Sequence, residues 1–201
     1  LIVAGTYKNE GTPNEFALAR YKTNGSLDPT FGNAGRVTTR TGLGDAAAFA
    51  IALANEGIVL AGYSYSTQDR DFALVRYRPD GTLDRDFGEG GLVATDFAGS
   101  TDIGYALAVQ RDGKLLVGGR TGPYRDTDLG LARYSSTGQL DAGFGTGGKV
   151  TTDIGGPEQG YALALTKSGK IVVAGISLAN GSTFDFAVAR YLGLNPSTSG
   201  P

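Results

Sequence analysis

An all-β repeat protein is what this sequence predicts, and three observations predict it. An Arg-Tyr pair recurs as Arg20-Tyr21, Arg76-Tyr77, Arg133-Tyr134 and Arg190-Tyr191, at spacings of 56, 57 and 57 residues. A fixed period of this size marks a repeat architecture. Each period carries short apolar runs with period-two alternation, punctuated by Gly-containing turns. No stretch shows a convincing helical period.

The elements follow in order within one repeat. Strand A is Phe49–Leu53, Tyr105–Val109 or Tyr161–Leu165, where Ala at alternate positions lets neighbouring strands approach closely. A turn follows, at Ala54–Gly57, Arg111–Lys114 or Lys167–Lys170, and its X-Gly pair suits the positive φ that tight hairpins demand. Strand B is an apolar, β-branched run ended by Gly: Leu1–Gly5, Val59–Gly62, Leu115–Gly119 and Ile171–Gly175, each read as a buried strand. A variable polar segment then shares almost no sequence between copies (Thr6–Asn14, Tyr63–Arg70, Arg120–Thr127, Ile176–Phe184) and reads as a surface loop.

Strand C ends in the Arg-Tyr pair. In Phe72–Tyr77, alternation places Phe72, Leu74 and Arg76 on one face and Ala73, Val75 and Tyr77 on the other. A second Gly turn leads into Leu-Asp-x-x-Phe-Gly, present at Leu27–Gly32, Leu83–Gly88 and Leu140–Gly145. Strand D is Arg36–Thr39, Leu92–Thr95 or Lys149–Thr152, with the segment around Thr82–Gly88 as the alternative outer strand. The glycines before strand D, Gly90-Gly91 and Gly147-Gly148, are expected to set positive φ or a bulge.

Four-stranded antiparallel units repeated at about 40 to 60 residues are the signature of β-propeller blades. A β-solenoid uses much shorter coils, and tandem sandwiches need about 100 residues per domain. The propeller region spans 1–193, with repeats near 1–44, 45–100, 101–156 and 157–193, and 194–201 reads as a linker. The first blade lacks strand A and the last lacks strand D. Three arrangements fit such ends: a larger ring seen in part, a four-bladed ring with two short blades, or assembly with other copies through exposed edges.

The pattern ALxxxxDGKxxVxG followed by DFALARYxxDGxLDxxFGxGGxV resembles the delta-60 repeat family of propeller-like bacterial proteins, across essentially the whole chain to about Tyr191. The resemblance implies a β-propeller and a long surface or secreted parent, and it brings no catalytic residues. The chain departs from the pattern at Gly57-Ile58, Gly118 and Gly130. It opens within an apolar run, LIVAG, which reads as a cut through a longer parent or a processed end rather than a signal peptide.

Composition narrows the chemistry. The net charge is −2 and basic residues are scattered, which disfavours nucleic acid. No apolar run approaches the roughly 20 residues of a membrane-spanning helix. There is no Cys, hence neither disulfide nor thiolate site, and no His, the commonest general base. The 33 Gly recur at turn positions, so they are not low-complexity sequence.

Arg20, Arg76, Arg133 and Arg190 are expected to pair with acidic residues of their own or the next blade rather than to ring an anion. Candidate partners are Glu15, Asp71, Asp128 and Asp185, and Asp28, Asp84 and Asp141, the latter set also suited to forming turns. Phe31, Phe87 and Phe144 are expected to plug the seams between blades, with an aromatic platform for sugars as the alternative. Acidic residues cluster at Asp69/Asp71 and Asp126/Asp128, with Asp96 and Asp102 in the adjoining link. Oxygen ligands of this type suit Ca²⁺, but no calcium-loop motif is complete, so the expectation is no metal and no cofactor, with Ca²⁺ as the alternative.

In an up-and-down blade the B–C loop and the D–A link share one rim. Variable loops on a rigid scaffold are where recognition sits. The expectation is therefore a non-catalytic binding or structural module, extracellular or at the cell surface, recognising protein or glycan there. Tyr63, Tyr65, Asp69, Tyr124, Arg125, Asp126 and Phe184 are the expected contacts. The alternatives are a lyase or glycosidase built on carboxylates and Tyr, and an architectural segment that assembles through open blade edges.

Overall fold

The computed structural model describes residues 1–42, 44–54, 57–66, 69–97, 99–178 and 183–193. Within them the chain is all-β, in four antiparallel sheets that follow one another along the sequence. Blade 1 is β1 (Ile2–Tyr7), β2 (Glu15–Arg20) and β3 (Arg36–Thr39). Blade 2 is β4 (Ala46–Ala54), β5 (Gly57–Tyr65), β6 (Arg70–Tyr77) and β7 (Leu92–Thr95). Blade 3 is β8 (Ile103–Val109), β9 (Leu115–Thr121), β10 (Asp128–Tyr134) and β11 (Lys149–Thr152). Blade 4 is β12 (Glu158–Leu165), β13 (Ile171–Ser177) and β14 (Asp185–Tyr191). Among the described residues no helix is long and apolar enough to cross a membrane.

The outer strand is the Arg36–Thr39 type. The Leu-Asp-x-x-Phe-Gly segment forms no strand; its ladder pairing with strand C is limited to single bridges such as Tyr77 to Leu83. Gly90-Gly91 and Gly147-Gly148 do adopt positive φ, and Ala34 holds the same conformation where Gly90 and Gly147 stand in the later blades. The Asn55-Glu56 turn and the 194–201 tail lie outside the described residues.

Each seam buries the Phe/Leu face of one strand C against strands B and C of the next blade. Phe16, Leu18 and Phe31 pack on Ile58, Leu60, Ala73, Val75 and Tyr77. Phe72, Leu74 and Phe87 pack on Leu115, Val117, Ala132 and Tyr134. Leu131 and Phe144 pack on Ile171 and Val173.

Polar latches fix the same register three times. Arg20, Arg76 and Arg133 each pair through Nε with their own blade's aspartate, Asp28, Asp84 or Asp141, at 2.9, 2.7 and 2.8 Å. Each then donates from Nη1 to a carbonyl of the next blade or the chain just after it: Pro79 at 2.6 Å, Ser136 at 2.6 Å and Gly193 at 2.7 Å. The guanidinium of each lies over Phe31, Phe87 or Phe144 at 4.6, 4.7 and 4.5 Å. In return Tyr77, Tyr134 and Tyr191 donate their hydroxyls back to Thr39, Thr95 and Thr152 at 2.8 to 2.9 Å. Burial raises the Tyr77 phenol to about 12.

Two local expectations are corrected. The first Gly-ended strand is not buried like its counterparts: Leu1 and Val3 are 82% and 48% exposed, because among the described residues no blade covers that face. Tyr63 and Tyr65 belong to strand β5 rather than to a loop, since strand pairing runs on to Tyr65–Arg70.

Candidate functional site

The rim built from the starts of strands C and the D–A links gathers carboxylates. Antiparallel pairing of β6 with β7 sets Phe72 opposite Thr95, so Asp71 and Asp96 flank that pair. The link then returns Asp102 to the head of β8. Oxygen atoms of Asp71, Asp96 and Asp102 come within 4.8 Å of one another, and those of Asp128, Asp153 and Glu158 do the same one blade on.

Second-layer groups hold these side chains. Asp102 accepts from the Thr121 hydroxyl at 2.5 Å and from the Phe97 amide at 2.7 Å. Glu158 accepts from the Ser177 hydroxyl at 2.9 Å, and Asp96 from the Gly99 amide at 2.6 Å. Burial pushes the Asp71 carboxyl up to about 6, and the Asp69 and Asp96 carboxylates add to the effect. Burial also holds Asp102 up to about 6, against the Thr121 and Phe97 hydrogen bonds. Burial raises Asp128 and Glu158 in the same direction; for Glu158 the Ser177 hydroxyl and the nearby Ile154 amide oppose it.

A second group lies on the innermost strands. Phe49, Tyr105 and Tyr161 each sit at a shift in register between strands A and B. The bulge is possible because Gly62, Gly119 and Gly175 stand opposite; a Cβ at any of them would collide with the carbonyl of Ala47, Ile103 or Gln159. Successive rings approach at 5.3 Å (Phe49 to Tyr105) and 5.1 Å (Tyr105 to Tyr161), and Tyr63 joins at 6.0 Å from Phe49. The Arg70 guanidinium lies 4.6 Å from the Tyr63 ring and 5.5 Å from that of Tyr65. Sequence reasoning missed this ladder. Its one signal was an aromatic at the head of each Ala-rich strand, in step with the repeat.

The expected contact residues lie in several different surroundings. Tyr63 is buried in the ladder, and Tyr65 packs toward Gly44. Asp69 accepts from the Ser66 hydroxyl at 3.1 Å. Tyr124, Arg125 and Asp126 project from a separate exposed turn, closed by the Asp126 amide on the Pro123 carbonyl at 2.8 Å. Phe184 is exposed beside the start of β14. Asp71, Asp102 and Glu158 are buried, whereas Asp96 and Asp153 are exposed. The surface hollow lined by Gly88, Leu92, Thr95, Gly138 and Leu140 carries a single acidic residue, Glu89.

The sequence matches a family model described as a domain of unknown function (DUF5122) β-propeller, over residues 1–31, 57–87, 110–144 and 166–193. These segments hold strand B through the Leu-Asp-x-x-Phe-Gly turn in the first three blades, and strands B and C in the fourth. No curated protein matches the chain.

Proposed function

Because the chain belongs to this β-propeller family of unknown function, we propose that it is a non-catalytic scaffold, a run of blades that joins further blades of the same repeat through its two end faces. Its variable rim is then held out for recognition of protein or glycan. The observation that carries this reading is the state of the end faces. Phe186 and Val188 on β14 are 98% and 66% exposed, whereas Phe16, Leu18, Phe72, Leu74, Leu129 and Leu131 at the equivalent positions are buried. Arg190 is exposed where Arg76 and Arg133 are buried. At the other end Leu1 and Val3 occupy the positions of Ile58 and Leu60, which the preceding blade covers.

The two end faces carry the strand B and strand C parts of a seam formed three times inside the chain. Burying Phe and Val side chains contributes about 1.5–3 kcal/mol each. An Arg190 latch onto a turn carbonyl of the added blade would extend part of the pattern. A second copy supplies such a blade head-to-tail. A heterologous contact of this kind closes into a ring or runs on as a filament.

Sedimentation velocity across a concentration series tests the reading. The parent chain is expected to shift to twice the chain mass or more, and Phe186→Asp to remain at one copy. A parent that stays at one copy up to about 100 μM, well above the micromolar affinities of standard interfaces, would refute it.

A second reading, sugar recognition on the inner strands, draws support from the ring ladder, since Phe49 and Tyr161 are half exposed. Aromatic faces stack on the apolar faces of sugars. Saturation-transfer NMR with a panel of neutral oligosaccharides tests it, and signals that survive Phe49→Ala/Tyr161→Ala would refute it.

A further inference from the structure

The carboxylate groups at the second and third blade junctions are more than an acidic patch, and three observations separate them from one. First, oxygens are left unpartnered in the protein interior. Asp71 is 7% exposed and its Oδ1 has no hydrogen-bond partner; Glu158 is fully buried and its Oε2 has none. A buried carboxylate oxygen without a partner costs free energy unless a cation or donor meets it. Second, among the described residues no Lys or Arg forms an ion pair with Asp71, Asp102, Asp128, Asp153 or Glu158. Lys149, in the neighbourhood, donates to the Asp96 main-chain carbonyl at 2.8 Å.

The third observation comes from the first junction, which lacks the triad. There Glu15 stands in the position of Asp71, Arg40 in that of Asp96, and Ala46 in that of Asp102. Arg40 Nε meets Glu15 Oε1 at 2.9 Å. Where the third carboxylate is missing, the chain supplies its own cation. Where three carboxylates meet, the position of that cation is taken by Asp96 or Asp153.

We propose that each triad, Asp71/Asp96/Asp102 and Asp128/Asp153/Glu158, binds one Ca²⁺, so that two ions bridge blade 2 to blade 3 and blade 3 to blade 4. The ligand set is all oxygen, which suits a hard cation. Ca²⁺–oxygen distances of about 2.3–2.6 Å allow opposite ligands to lie roughly 4.6–5.2 Å apart. The triad oxygens lie within 4.8 Å of one another, close enough for one such ion to reach all three. Mg²⁺, at about 2.0–2.1 Å and in rigid octahedral geometry, demands a tighter set. Asp96 and Asp153 are exposed, which leaves a side open for water ligands. Each triad takes two carboxylates from one blade and the third from the head of the next, so the ion ties the seam at the rim opposite the arginine latch.

The test is calorimetric titration of the EDTA-treated protein with CaCl₂, paired with thermal unfolding. About two Ca²⁺ are expected per chain, with a rise of several degrees in Tm at about 10 mM CaCl₂, a level that saturates the weaker extracellular class of site. Asp96→Arg and Asp153→Arg copy the first junction at exposed positions. Each is expected to remove one site while the protein stays folded, and the double variant to lose the calcium response. Asp102→Asn provides an isosteric second route to loss of the first site. The proposal is overturned if the parent binds no Ca²⁺ or if the double variant keeps its stoichiometry. It is equally overturned if MgCl₂, or NaCl at matched ionic strength, reproduces the Tm rise.

Discussion

Replacing Arg76 with methionine isolates the latch that joins blades 2 and 3. Arg76 and Asp84 are 5% and 6% exposed, and the pair closes at 2.7 Å. The substitution keeps much of the aliphatic packing but leaves the Asp84 charge and the Ser136 carbonyl buried without their donor. Breaking a buried pair by removing one partner costs about 3–5 kcal/mol. Arg78 lies 3.7 Å from the other Asp84 oxygen, from an exposed position, and compensates in part. The expected loss is therefore at the low end, about 3 kcal/mol. The same change at Arg20 serves as the internal control, because the Arg20 and Asp28 side chains are 23% and 20% exposed and water screens the pair. Its cost should be about 1 kcal/mol. Urea unfolding monitored by tyrosine fluorescence reads both. Because removing both charges is often nearly neutral, Arg76→Met/Asp84→Leu should recover most of the single-variant loss. Equal costs at Arg20 and Arg76, or no recovery in the double variant, would refute the assignment of Arg76 as a buried inter-blade latch.

Two further outcomes follow from the geometry. Gly119→Ala should destabilise by about 1–3 kcal/mol or more, because the added methyl meets the Ile103 carbonyl rather than a side chain that can turn away. Gly118→Ala should be nearly neutral, since its methyl meets side-chain atoms alone, the nearest being Leu163 Cδ1 at 3.2 Å, and thermal unfolding of the two variants distinguishes them. The Thr82 hydroxyl and amide hold the Asp80 carboxyl below its ordinary 3.8. A lowered carboxylate contributes stability above its unfolded pKa and loses it as pH falls through the folded value. Thr82→Val should therefore be less stable than the parent at about pH 6, with the difference shrinking as pH falls through the folded value; a difference that persists undiminished in acid contradicts that origin.

The scaffold was legible because its determinants are local and repeated. Arg76 and Tyr77 are adjacent, so strand alternation alone sends one toward the following blade and the other toward the preceding blade. The latches confirm both directions, Arg76 onto Ser136 and Tyr77 onto Thr39. The bulges were not legible, because FAIAL, YALAV and YALAL alternate without interruption. What shifts their register is a glycine on the neighbouring strand, Gly62, Gly119 or Gly175, whose missing Cβ admits the opposing carbonyl. The carboxylate triads were only half legible. Sequence proximity pairs Asp69 with Asp71, yet Asp69 turns to Ser66, and the partners of Asp71 are Asp96 and Asp102. Those arrive through the β6–β7 pairing and the return to β8, which no spacing within one strand announces.

Asp71 and Arg76 stand toward opposite ends of one strand, and the contrast between those ends separates architecture from variation. At the Arg76 end all three seams use the same chemistry: an arginine, its aspartate, a phenylalanine beneath it and a carbonyl from the next blade. Stability in stacked repeats is a sum over neighbouring interfaces, so each seam carries its own latch. At the Asp71 end the scaffold makes no such demand, and the junctions differ: Glu15 with Arg40 in the first, three carboxylates in the second and third. A change of charge there leaves the seam core of Phe72, Leu74, Leu115 and Val117 untouched. That freedom lets the rim of variable loops change its charge while the opposite rim keeps the blades in register.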